Sequence, residues 1–173
     1  LILITFAEKQ MKNSIVLALI VFSLNSMAQE GKATTVKTTF SRTTSISTTI
    51  NAEASKIWSL LTNAEDIPKW NSTIISLEGE IKVGEKIRLV SYLDPERTFK
   101  IKIKEMTSTS KMIWGDAMGE RVYTLEPTKD GAILFSMTER IGSFMFPLFA
   151  NKIPSFDESF EKYAADLKRA AEE

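Results

Sequence analysis

Three carboxylates, Asp116, Glu120 and Glu139, are the groups of this chain best placed for proton chemistry. Asp116 and Glu120 flank a turn, and Glu139 sits beside Arg140 near the end of the last expected strand. Neighbours on a strand point to opposite faces, so at most one of Glu139 and Arg140 points inward. A carboxylate taken into an apolar interior holds its proton more tightly and can serve as an acid or a base. The plainer reading of all three is surface charge or structural ion pairing, so no catalytic residue is assigned. More demanding chemistry is excluded, because the sequence contains no Cys and no His. That removes disulfides, thiolate nucleophiles, thiolate and imidazole metal ligands, and any Ser-His-Asp or Cys-His machinery. No metal motif and no glycine-rich phosphate loop is present, so neither metal nor cofactor is expected.

A second set of residues suits binding. Trp114, Tyr123 and Phe135 alternate on strands expected to border a hollow, and Tyr and Trp offer an apolar body with one polar tip. Ordinary core packing is the competing reading. The connection Gly142 to Asn151 carries Phe144, Met145, Phe146, Pro147, Leu148 and Phe149, unusually apolar for a loop. Phe146 and Phe149 are read as a rim, with transient membrane contact through Phe144–Phe149, or else as the buried approach to the last helix. Phe156 and Phe160 of that helix complete the candidate binding set. Arg88, Arg97 and Arg121 either meet an anionic head group or lie on a solvated face. Lys100, Lys102 and Lys104, with Lys111, form a stripe that reads as a solvated outer face. Lys plus Arg and Asp plus Glu stand at 22 each, so nothing draws the chain to nucleic acid.

These residues need elements to hold them. The last stretch, Ile153 to Glu173, places Phe156, Phe160, Tyr163, Ala164, Leu167 and Ala171 on one stripe of a 3.6-residue helix. Pro154 suits its first turn, Ser155 or Asp157 its cap, and Lys168 and Arg169 its negative end. A lone helix of this length is marginal in water, so it needs an apolar surface to lie on. That surface is a run of strands. Val36, Phe40, Ile46 and Ile50 fall on even positions, which gives a period-two strand over most of residues 31–50. Its part before Phe40 is left between strand and flexible tail. A helix from Glu53 to Leu61, capped by Asn51, and a shorter one over residues 63–70 come next. Strands are expected at Thr73–Glu80, Lys86–Leu93, Thr98–Met106, Lys111–Asp116, Arg121–Glu126 and Ala132–Ile141. Turns fall at Lys82–Glu85, Asp94–Arg97 and Pro127–Gly131, the last on an Asp-Gly signal. Consecutive hairpins with helices to one side imply an antiparallel α+β domain over residues 41–173.

The amino end reads as a leader. Met11-Lys12-Asn13 precedes an apolar core, Ser14 to Leu24, and a small-x-small site at Ser26-Met27-Ala28. The core is shorter than the ~20 residues a membrane-spanning helix needs. A signal peptide over residues 11–28, cut after Ala28, is therefore expected, with residues 1–10 an over-extended start and 29–40 a flexible segment or the beginning of the first strand. Export implies a periplasmic or secreted protein. No Cys follows the apolar core, which argues against a lipoprotein anchor. Losing Glu8, Lys9 and Lys12 leaves the charge near neutral.

The order of elements, with several local marks, resembles the START-like helix-grip (SRPBCC) superfamily, in particular its bacterial polyketide cyclase/dehydrase group. The marks are Ala52 with Ile57-Trp58, Trp70, Gly79-x-Ile81-x-Val83-Gly84, Met112-Ile113-Trp114, Leu125-Glu126-Pro127 before Gly131, and Leu167-Lys168. The resemblance implies a curved seven-stranded antiparallel sheet gripping a long C-terminal helix, with two short helices after the first strand and an apolar cavity between sheet and helix. It implies one of two functions. The first is binding or transport of a hydrophobic small molecule or lipid. The second is cyclase or dehydratase chemistry on an aromatic or polyketide-like substrate. An interaction module using the outer sheet face is the third reading open to the sequence.

Overall fold

The computed structural model describes residues 31–173. The expected start at Met11 and the cleavage after Ala28 lie outside the described residues. One antiparallel sheet of eight strands runs in the order β1-β2-β8-β7-β6-β5-β4-β3. The strands are β1 (Thr34–Lys37), β2 (Ser41–Ile50), β3 (Ile74–Glu78), β4 (Lys86–Ser91), β5 (Asp94–Thr107), β6 (Lys111–Gly115), β7 (Gly119–Pro127) and β8 (Ile133–Gly142). Helices α1 (Ala54–Thr62) and α2 (Ile67–Trp70) follow β2, and α3 (Asp157–Glu172) ends the chain. α3 lies against β2, with α1 and α2 touching it as well. This is the α+β helix-grip arrangement expected from the sequence, with one strand more.

The extra strand is β1. The even-position pattern does not run unbroken from Val36, because the chain turns at Thr38–Phe40 and β1 folds back on β2, pairing Thr35 with Thr44. Val36 and Phe40 are left exposed. From Arg42 onward the alternation holds, and Arg42, Thr44, Ile46, Thr48 and Ile50 are the buried set of β2. The expected turn at Asp94–Arg97 is instead part of β5. The chain reverses one step earlier, at Tyr92-Leu93, and Pro95 to Arg97 fill an irregularity where Ser91 pairs with Asp94 but Leu89 with Phe99. A proline has no N–H for the ladder, and a bulge tolerates it. Further register shifts fall between Ile74 and Ser76 and between Ile103 and Glu105. Bulges bend and twist the strand that carries them, and these curl the β3–β6 half of the sheet.

The helices differ from expectation at their starts. Asn51 does not cap α1, because the helix starts at Ala54 and Glu53 occupies the cap position without a side-chain bond; the Asn51 N–H donates instead to the Glu172 carboxylate at 2.8 Å. α3 begins at Asp157 behind Phe156, so Pro154 and Ser155 precede it; Phe156 makes no cap bond, and the Asp157 amide donates to Ser155 Oγ at 3.4 Å. Its buried face is Phe160, Tyr163, Ala164, Leu167 and Ala171, the stripe read from the sequence. Polar contacts fix its far half. Asp166 accepts from the Ser72 amide and hydroxyl at 2.8 and 2.7 Å, and Lys168 donates to the Thr49 carbonyl at 2.6 Å. Beneath the helix, Trp70, Trp114, Tyr123, Phe135 and Tyr163 form a continuous aromatic cluster, with Tyr163 touching Trp70, Tyr123 and Phe135.

Candidate functional site

The sheet and α3 do not close on one another along their whole length. At the end where α3 begins, a cavity of about 270 Å³ remains. That is just below the usual range for small-molecule sites, about 300–1,000 Å³. Its walls are Leu89, Phe99, Ile101 and Trp114 on the curled half of the sheet, Ile141 on β8, and Phe149, Ile153, Phe156 and Phe160 on the approach to α3 and its first turn. The strand rims Asp94, Arg97 and Asp116–Glu120 edge its mouth, together with Lys152.

A polar row crosses this apolar site, and the strand register sets it. Glu139 on β8 stands between Thr44 on β2 and Arg121 on β7, and Arg121 stands opposite Trp114 on β6. Arg121 and Glu139 both line the cavity. Arg121 donates from Nε to Glu139 Oε2 at 2.5 Å and from Nη2 to the same oxygen, while Nη1 reaches the Tyr123 hydroxyl at 3.5 Å. The two side chains keep only 20% and 16% of their surface. Burial opposes the Arg121 cation, but the Glu139 carboxylate and Tyr123 beside it more than offset that, so its pKa is raised and it stays charged. The guanidinium also lies over the Phe160 ring, 5.2 Å from its centroid. Glu139 Oε1 has no hydrogen-bond partner among the described residues, so it is an open acceptor beside the cavity.

Arg42 holds the opposite wall. It donates from Nη1 and Nη2 to the carbonyls of Ile153 and Pro154 at 3.2 and 2.7 Å, and sits 4.6 Å over the Phe156 ring. Burial lowers its pKa, while Asp157 and Glu139 act the other way. Phe156 in turn stacks on Phe160 at 6.2 Å and 7°. Arg42, Phe156, Phe160 and Arg121 thus form one row along the helix side of the cavity, a stacked ring pair with a cation over each end.

Among the candidate binding residues, Trp114, Phe149, Phe156 and Phe160 line the cavity. Tyr123 and Phe135 lie one layer below it, fully buried in the aromatic cluster. Tyr163 packs on both rings and Trp114 on Tyr123, whose hydroxyl meets Arg121 Nη1 at 3.5 Å. Phe146 is buried under its own loop, edge-on to Phe149 at 5.6 Å, whereas Phe144 and Leu148 are 83% and 72% exposed. Of the carboxylates, Asp116 is a turn organiser whose Oδ1 accepts from the Met118 and Gly119 amides at 2.7 and 2.9 Å. Glu120, at the rim of the cavity, is paired with Lys104 at 3.0 Å. Glu139 alone of the three belongs to the buried polar row, and Arg140 faces the outer surface beside Lys104 and Thr138. Arg88 pairs with Glu78 away from the cavity, and Arg97 lies over the Phe99 ring at the mouth.

Two polar residues of the site were not singled out as such by sequence reasoning: Arg121 as the partner of Glu139, and Arg42. A signal existed for both. Arg121 shares strand parity with Tyr123 and Leu125, and Arg42 with Ile46 and Ile50, so each falls on the inward face. Burial works against the charged phenolates, which raises the pKa of Tyr123, and raises that of Tyr163 well above the ordinary value, with Tyr123 adding to the effect. The two hydroxyls interact electrostatically, yet the Tyr163 hydroxyl makes no hydrogen bond of good geometry. Among the described residues no three acidic side chains gather where a metal ion could be held.

No family model matches the sequence, and no curated protein matches it. Solved structures do. A conserved protein of unknown function from Enterococcus faecalis is similar with a TM-score of 0.60 and 16% identity, over 82% of this chain and 77% of that one. A START superfamily protein from Mycobacterium smegmatis is similar with a TM-score of 0.55 and 17% identity, over 75% of this chain and 97% of that one. A putative protein of the dynemicin biosynthetic locus gives a TM-score of 0.56 at 11% identity, over 72% of this chain and 45% of that one. At such identities the likeness establishes the fold and leaves the ligand to the cavity's own chemistry.

Proposed function

Starting from a START-like helix-grip fold, we propose that this protein binds and carries a small hydrophobic molecule, or the chain of a lipid, in the cavity between sheet and α3. The observation that carries the reading is an apolar hollow of about 270 Å³ crossed by one buried ion pair, Arg121–Glu139. Apolar walls supply affinity, and a few fixed polar groups supply orientation. Arg121 retains donors not used by Glu139, and Glu139 retains an open oxygen, so the pair suits a ligand with a single hydrogen-bonding end. The leader-like sequence supports export to the periplasm. The exposed Phe144, Met145 and Leu148 beside the mouth support transient membrane contact during ligand transfer.

Native mass spectrometry of gently purified protein tests the reading. The expected result is a bound apolar molecule that an apolar dye displaces. A protein that carries nothing and takes up neither dye nor lipid would overturn it.

One observation favours cyclase- or dehydratase-type chemistry as a second reading: Glu139 presents an unpartnered oxygen beside the cavity and next to a cation. A carboxylate so placed can accept a proton from a bound substrate. This reading expects the co-purified ligand to be converted on incubation, and Glu139→Gln to retain binding while losing conversion. A ligand recovered unchanged from the native protein refutes it.

A further inference from the structure

The wall of the cavity formed by the approach to α3 is held in an unusual way. Its outward side chains Phe144, Met145 and Leu148 are exposed, while Phe146 and Phe160 are buried. Polar contacts with the amino-terminal segment add to that packing on the far side of the helix start. Thr44 Oγ1 donates to Thr35 Oγ1 at 2.8 Å, which leaves the Thr35 hydroxyl hydrogen for Asp157 Oδ1 at 2.5 Å. One turn on, Glu161 accepts from the Ala33 amide at 3.2 Å and from Lys32 Nζ at 3.3 Å. Asp157 and Glu161 share one helix stripe, next to the stripe of Phe156 and Phe160 that lines the cavity. The segment providing these bonds is itself slight. β1 is a four-residue edge strand, largely exposed, paired within the sheet with β2 alone.

We infer that residues 31–37 form a strap across the first two turns of α3, and that release of this strap opens the cavity to its ligand. The inference rests on the reading that the cavity takes a ligand, and adds how it is admitted. Strap and sheet differ in how they can move. The strands that carry the sheet wall, β4 to β6 and β8, are each paired on both sides, whereas the strap can peel from β2 as an edge strand without disturbing the other seven. When it does, Glu161 loses its partners and Asp157 keeps only Ser155, and the Arg42 bonds to Ile153 and Pro154 become the remaining long-range polar hold on that wall.

The test uses the full chain and the absence of native cysteine, which lets Thr35→Cys/Asp157→Cys form a single disulfide. The probe is 1-anilinonaphthalene-8-sulfonate, read by energy transfer from tryptophan with Trp114→Phe as the site control. Oxidation should slow both entry and exit of the dye about tenfold or more with its Kd little changed, and a reducing agent should restore the rates. Thr35→Val/Glu161→Gln should speed both rates by about tenfold, the scale of losing charge-assisted hydrogen bonds. Equal rates in the oxidised and reduced forms would overturn the strap. Hydrogen exchange at residues 157–161 separates this from failure of the binding reading. If no form takes up dye, the cavity reading falls and exchange alone decides the strap. Faster exchange in Thr35→Val/Glu161→Gln supports it, and unchanged exchange overturns it.

Discussion

Replacing Arg121 by Met should destabilise the protein strongly, and removing Glu139 as well should restore it. Met keeps most of the arginine stem's volume, so packing is little altered. What changes is that the Glu139 carboxylate, 16% exposed, loses both N–H donors on its Oε2. Breaking a fully buried pair in this way costs about 3–5 kcal/mol. The cavity lets some water reach Glu139, and the lost contact with Phe160 adds about 0.5–1 kcal/mol, so about 2–3 kcal/mol is the working figure. With a urea m-value of about 1–3 kcal/mol/M, the unfolding midpoint should fall by about 1 M. Glu139→Gln, which keeps an acceptor, should cost about 1–2 kcal/mol. Arg121→Met/Glu139→Leu should return to within about 1 kcal/mol of the parent, because neither charge is then stranded. The coupling read from the four proteins should reach about 2 kcal/mol. Additive single effects, or an Arg121→Met protein as stable as the parent, would refute the argument that this pair is desolvated. The same double variant should still take up an apolar dye while losing its preference for ligands with a hydrogen-bonding end.

Stability should fall steeply in alkali. Above about pH 10 the unfolded chain ionises its tyrosines, while burial holds Tyr123 and Tyr163 protonated in the folded one, so the unfolded state binds fewer protons and stability declines by about 1.4 kcal/mol per pH unit for each. Urea midpoints on either side of that pH should show it, and Tyr123→Phe should remove about half the slope. Phe144→Asp/Leu148→Asp should leave urea stability within about 0.5 kcal/mol and reduce lipid extraction from vesicles, since both side chains are already in water. Phe146→Asp, by contrast, buries a charge and should unfold the loop in a circular-dichroism melt. Leu167→Ala, on the fully buried stripe of α3, should cost about 2–5 kcal/mol in the same urea assay.

The parts of the molecule legible in its sequence are those where one face meets apolar core and the other meets water. α3 is the clear instance, since Phe160, Tyr163, Ala164, Leu167 and Ala171 are buried as their spacing requires. β5 is another, with Phe99, Ile101 and Ile103 turned inward and Lys100, Lys102 and Lys104 outward. What was not legible depends on partners distant in the chain. β1 has too little apolar content to announce itself, and exists because β2 offers it an edge. Pro95 looks like a turn residue until the bulge that houses it is known. Asn51 is a good cap by type, but α1 starts two residues too late for it, with Glu53 at the cap position. The inward place of Arg121 was readable from its parity with Tyr123. Its pairing with Glu139 was not, because that depends on the register between β7 and β8.

The sheet order also bears on how the chain can be made. β2 is laid down early, yet it pairs with β8, so Ile46 waits for Met137 while five strands are synthesised between them. α3, which covers the concave face, is made after every strand of the sheet. Such distant pairings make for slow acquisition of structure, because a long chain segment must be gathered before its contacts form. A nascent polypeptide of this design stays open until α3 has been made, and a chain cut before Lys162 would lack Tyr163, Leu167 and Ala171 and leave the concave face bare.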